Sequence, residues 1–128
     1  MSTNARLVLM LPNEEPKAVY LHAGHPLDAL PVLRRHYSDP DRARALVELG
    51  DISYVAPRLE PSPGERHSFR DPAPGVTVAY HRDRREPWHR VRTKSLKEVP
   101  EMEFDYVFDG SEWTAYCRAY DRGLPLAI

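Results

Sequence analysis

A chain of 128 residues, 41% hydrophobic and 29% charged, has apolar material for one core and little for a second, so a single domain over residues 1–128 is expected. A formal net charge of -1 gives no global field that would steer the protein to nucleic acid or to an anionic membrane. The one cysteine, Cys117, excludes an internal disulfide framework and a cysteine-based zinc site and points to a reducing compartment.

Arg6 to Met10 and Ala18 to His22 read as two short strands, joined by a link of turn composition, Pro12-Asn13-Glu14-Glu15-Pro16. The apolar run Leu7 to Leu11 is too short for a signal-peptide core. No stretch approaches the roughly 18 apolar residues of a membrane helix, and a cytoplasmic, membrane-free protein is expected. Gly24-His25-Pro26 breaks the second strand. A helix follows, with Asp28 as candidate N-cap, Pro31 in its first turn and Leu27, Leu30, Leu33 and Tyr37 at helical spacing. Asp39 caps a second helix, Pro40 opens it and Gly50 stops it, with Ala43, Leu46 and Val47 as its apolar stripe. The two form an αα-hairpin.

Pro57 to Gly75 is a long loop rich in proline and charge, of a length uncommon in a compact domain and characteristic of functional or mobile segments. Val76 to His81 then alternates as the clearest strand, with Val76, Val78 and Tyr80 on one face. Arg82 to Pro100 is polar, with a short helix expected near Ser95 to Glu98. Phe104, Tyr106 and Phe108 alternate with acidic neighbours. Asp109-Gly110 signals a turn, and Trp113, Ala115 and Cys117 return opposite Thr114, Tyr116 and Arg118. The expected fold is α+β: an antiparallel sheet of about five strands, an αα-hairpin packed on one face, and a long proline-rich loop.

Three constellations bear on chemistry. His22-x-x-His25, with His81 or Asp83, has metal-capable donors, but the spacing fits no zinc module, so no metal or other cofactor is expected. Tyr80-His81-Arg82-Asp83-Arg84 sits at a predicted strand end, where the arginine forks suit a phosphate or carboxylate and Asp83 suits orienting His81. His22 joins His81, Arg82, Asp83 and Arg84 in this candidate site if its strand is a neighbour. A charged strand end with an internal Arg–Asp pair is the plainer reading of the same residues. Arg66 to Lys94 carries 8 positive against 3 negative side chains, with Trp88 and His89 among them, but matches no nucleic-acid-binding motif, and the following acidic residues offset it. Cys117 falls in an apolar row, there is no GxSxG, P-loop or GxGxxG, and no catalytic residue is assigned.

The segments Val19-Tyr20-Leu21-His22, Leu49-Gly50-Asp51-Ile52-Ser53 and Gly75-Val76-Thr77-Val78-Ala79-Tyr80-His81-Arg82-Asp83-Arg84, with the ending Glu103-Phe104-Asp105-Tyr106-Val107-Phe108 and Trp113, resemble a family of small uncharacterised bacteriophage and bacterial proteins. The resemblance spans Ala18 to Trp113. It implies a phage or mobile-element setting and no catalytic residues. The expectation is a non-enzymatic interaction protein that binds a host protein, extending to inhibition of a host defence system. The alternative is a domain, or an enzyme, that takes a nucleotide or other small anion at the His/Arg/Asp cluster.

Overall fold

The structure, a computed structural model, describes residues 3–117; Arg118, expected at the end of the last strand, lies outside them. The elements are β1 (Ala5–Leu9), β2 (Lys17–Leu21), α1 (Pro26–His36), α2 (Pro40–Val47), β3 (Ile52–Tyr54), β4 (Val78–Ala79), α3 (Tyr80–Arg84), α4 (Trp88–Val91), β5 (Lys94–Ser95), β6 (Phe104–Phe108) and β7 (Trp113–Cys117). A single 3-10 turn, Leu96–Glu98, falls where the short helix was expected.

The fold is α+β, but its sheet is mixed and has seven strands, in the order β4-β3-β2-β1-β6-β7 with β5 also on β2. The expected antiparallel sheet of five strands is therefore corrected. The two hairpins, β1–β2 and β6–β7, are antiparallel as their turns require. They join each other through β1 and β6 in parallel, Ala5 opposite Phe104 through Leu9 opposite Phe108. Hairpin chemistry fixes only the pairing of consecutive strands. β1 and β6 are joined by a long crossover containing the helices, which leaves their relative direction free. β3 likewise runs parallel to β2 after α1 and α2.

β1 is buried along its whole length, as a central strand covered on both faces must be. Leu7, Val19, Leu21, Tyr106, Phe108 and Trp113 share the core with Leu30, Leu33, Leu46 and Val47 of the two helices. A smaller cluster on the opposite face joins Val8, Ala18 and Val99. Phe104 is half-buried, whereas Tyr106, Phe108 and Trp113 are buried as the alternation demands. The turn between β6 and β7 is tied by Asp109, whose Oδ1 accepts from the amides of Ser111 and Glu112.

The helix ends follow local chemistry. Asp39 caps α2 by accepting from the Arg42 amide, as expected. The cap of α1 is His25, not Asp28: its Nδ1 accepts from the Leu27 amide, Pro26 takes the first position, and Pro31 lies inside the helix. Gly50 turns the chain out of α2 at φ 83°, and a Cβ there would stand 2.3 Å from the Val91 carbonyl oxygen. Tyr37, at the end of α1, ties three regions together. Its hydroxyl donates to the Ala56 carbonyl at 2.7 Å, and its own carbonyl accepts from Trp113 Nε1 at 2.9 Å.

On the smaller-core face Arg6 and Asp105 are register partners across β1 and β6. The guanidinium forks onto the carboxylate at 2.8 and 2.7 Å and donates its remaining Nη1 to the Val99 carbonyl at 3.0 Å. The hydrogen bond to Asp105 raises the Arg6 pKa above its ordinary value despite burial. Asp105→Ala is expected to destabilise the protein by about 3–5 kcal/mol in urea unfolding, because it strands a buried charge. Asp105→Asn, which keeps an acceptor, should lose less.

Candidate functional site

The predicted strand Val76 to His81 is the main correction. Only Val78–Ala79 is strand, and Tyr80–Arg84 forms the short helix α3. Period-2 alternation is blind to the partners that end a strand. Here the Tyr80 amide donates to the Asp51 carbonyl at 3.1 Å, and Asp83 Oδ2 reaches back to the Ala79 amide at 2.8 Å. That second bond satisfies a donor at the helix start. Arg85 ends the helix in the left-handed region, φ 62°, an uncommon place for a side chain larger than glycine.

This rearrangement sorts the candidate residues. His22 lies at the end of β2, its Nδ1 2.6 Å from the Tyr20 hydroxyl. β3 stands between β2 and β4, so His22 and His81 are not on neighbouring strands. His81 Nδ1 lies 2.8 Å from the Glu86 carbonyl, which can only accept, so Nδ1 carries the hydrogen. The His81 ring meets the edge of Trp88.

Arg82 is engaged at every nitrogen. It forks onto Asp83 through Nε and Nη2, and donates to the Leu59 carbonyl at 2.8 Å and the Thr77 carbonyl at 2.6 Å. Asp83, whose side chain is only 3% exposed, also faces His67 Nε2 at 3.2 Å. The Ala73 amide donates to His67 Nδ1, so the proton sits on Nε2. Nε2 therefore faces the carboxylate in charge–dipole contact, short of a hydrogen bond of good geometry. Burial pushes the Asp83 carboxyl up, but Arg82, the Ala79 amide and His67 outweigh it, and its pKa falls below the ordinary carboxylate range.

Arg84 differs from Arg82. It is 55% exposed, lies over the Phe69 ring at 4.8 Å and meets Glu86 only at 3.8 Å. With Ser68, Phe69, Arg70, Asp83 and Arg85 it lines an open depression of about 490 Å³. Arg70 and Arg85 are exposed and form no ion pair among the described residues. Phe69 is held in place by its amide, which donates to the Asp83 carbonyl at 3.0 Å, and by its ring, tilted against Tyr80.

The proline-rich loop thus builds half of the site. Arg58 pairs with Glu65, holding that carboxyl down to about 2, and the loop's ends are sewn together by the Arg58 amide to the Gly75 carbonyl and the Thr77 amide to the Arg58 carbonyl. Sequence reasoning missed Ser68, Phe69, Arg70 and Arg85 as site residues. The basic excess between Arg66 and Lys94 was the available signal, but a sequence does not show that residues 68–70 return to the end of α3.

Asp51 was missed as well. β3 and β5 both border β2, leaving the Tyr20 amide uncovered between them; Asp51 Oδ1 accepts from it at 3.0 Å. Burial raises the Asp51 pKa, and the Tyr20 amide and Lys94 offset this only in part. The carboxylate opens onto a cavity of about 250 Å³ lined also by Tyr20, Lys94 and Glu98. Among the described residues, no group of three or more His, Cys, Asp and Glu is placed to hold a metal ion, and no helix is long and apolar enough to cross a membrane. No family model matches the chain, and neither a curated protein nor a solved structure shows significant similarity to it.

Two outcomes are expected from thermal and urea unfolding. Arg82→Ala should cost about 1.5–3 kcal/mol through lost hydrogen bonds to a charged partner, whereas Arg84→Ala should stay within about 1 kcal/mol. For Asp51 the sign follows from its raised folded-state pKa: the ionised form is the disfavoured one in the native state, so its contribution worsens as pH rises through the carboxylate range. Asp51→Asn keeps the acceptor and should be neutral or stabilising at pH near 7. Asp51→Ala should destabilise by about 1–3 kcal/mol, since it orphans the Tyr20 amide.

Proposed function

We propose that this chain is a non-enzymatic interaction protein that binds an acidic surface of a partner protein through the face built from Arg70, Arg84 and Arg85. The partner proposed is a host protein in the cytoplasm, in a phage or mobile-element setting, and the effect extends to inhibition of a host defence system. That setting rests on the sequence resemblance. The contact rests on one observation: three exposed arginines border one depression where the one carboxylate among the described lining residues, Asp83, is already consumed internally.

Physical economy supports this reading. Exposed arginines with weak or no ion pairs contribute little to stability, and clustered like charges oppose it. The same groups give electrostatic steering and bidentate contacts when an acidic partner docks. Trp88, also exposed and in contact with His81, supplies an aromatic next to α3 of the kind enriched at interfaces. The concavity of the same depression favours the second reading, a domain that takes a small anion.

The triple variant Arg70→Ala, Arg84→Ala, Arg85→Ala should shift the melting temperature by less than about 4 °C, as exposed charges do. In pull-downs from host lysate, a protein retained by the wild type should be lost from this variant and released by raised salt. Retention by the variant as strong as by the wild type would sink the reading.

A further inference from the structure

We infer that the Arg70–Arg84–Arg85 depression is a site for a phosphate monoester. The inference rests on the reading of this face as the acidic-partner contact and specifies the chemistry it recognises. A carboxylate carries one negative charge on two oxygens, and one guanidinium fork balances that charge. The depression offers three forks, on Arg70, Arg84 and Arg85, and so more positive charge than one carboxylate balances. A phosphate monoester carries close to two charges near pH 7 and presents three acceptor oxygens.

Ser68 adds a fourth donor. Its Oγ accepts from the Asp71 amide at 3.0 Å, which leaves the hydroxyl hydrogen for a ligand. The acidic groups nearby do not compete well. Glu86 lies 3.8 Å from Arg84, and Asp71, on an exposed side chain, lies 3.9 Å from Arg66; neither lines the depression. Asp83 does line it, but its carboxylate accepts from Arg82 and the Ala79 amide and faces His67.

The site is also built rather than merely charged. The Phe69 ring supports the Arg84 guanidinium, limiting its rotamers before a ligand arrives. The Phe69 amide joins the loop to α3 through the Asp83 carbonyl. Arg85 occupies a left-handed backbone position where glycine would be less strained, so its side chain is present against a local preference.

The test is a titration of the full-length protein, followed by amide NMR, with inorganic phosphate, adenosine monophosphate, a phosphoserine peptide, its glutamate counterpart and acetate, all at one ionic strength. Saturable shifts are expected at the amides of residues 68–71 and 84–86 with the phosphate probes, at least about tenfold stronger than with acetate or the glutamate peptide. Arg84→Lys with Arg85→Lys keeps the charge and removes the forks, and should weaken phosphate binding about tenfold. Unchanged resonances from Phe104–Cys117 report that the variants are folded. A tighter phosphoserine peptide assigns the group to a partner side chain, and a tighter nucleotide assigns it to a small molecule. Equal binding of acetate, shifts scattered over the surface, or full binding by the double-lysine variant would overturn the inference. If those results come while the triple-alanine variant still loses the host protein, the acidic-partner reading stands alone. If the host protein is retained as well, both fall.

Discussion

The Asp83 carboxylate is the constraint on which the arginine face depends. It accepts from the Ala79 amide at the cap of α3, holds Arg82 through Nε and Nη2, and faces His67 from the proline-rich loop. Its backbone carbonyl receives the Phe69 amide. One residue therefore locks a short helix to a loop that begins more than twenty residues earlier. A five-residue helix is far below the length that is stable alone, so α3 exists because of these bonds rather than through its own propensity. Arg84 and Arg85 take their positions from that helix, and Phe69 and Arg70 take theirs from the loop.

The loop in turn is anchored to the core at its base. Tyr37 donates to the Ala56 carbonyl, and Thr77 Oγ1 both receives the Ala56 amide and donates to its carbonyl. These contacts bury the ends of the connection beneath α1 while its middle is stiffened by the Arg58–Glu65 pair. A segment of this composition would have high conformational entropy if untethered. Here the order imposed on it is met by backbone pairing at Arg58, Gly75 and Thr77, and the exposed arginines ride on a frame that does not need them.

The parts legible in the sequence were those governed by neighbours in the chain. Asp39 and Pro40 announced α2, Asp109-Gly110 announced the turn of the last hairpin, and Tyr106, Phe108 and Trp113 announced its buried face. The parts that were not legible depend on contacts across tens of residues. Val76, Val78 and Tyr80 alternate like a strand, yet Asp51 takes the Tyr80 amide and the chain turns into a helix. The parallel meeting of β1 and β6 leaves no local mark, because either direction buries the same alternate residues. Within the candidate site, the Arg–Asp pair was foreseen as the plain reading of Arg82 and Asp83. Arg84 stayed exposed, and His22 proved to lie beyond an intervening strand.

Gly50 has a bearing on how functional maps of this protein should be drawn. Any side chain there must displace the Val91 carbonyl and the Trp88 ring, and must also hold a left-handed backbone. Both obstacles belong to the joint between α2 and α4, and neither is one of the arginines that line the depression. A saturation screen scored by activity would nonetheless mark Gly50 as intolerant, as it would a true contact residue. Paired abundance and binding readouts separate the two classes: at Gly50 both fall together, whereas a contact residue loses binding at constant abundance.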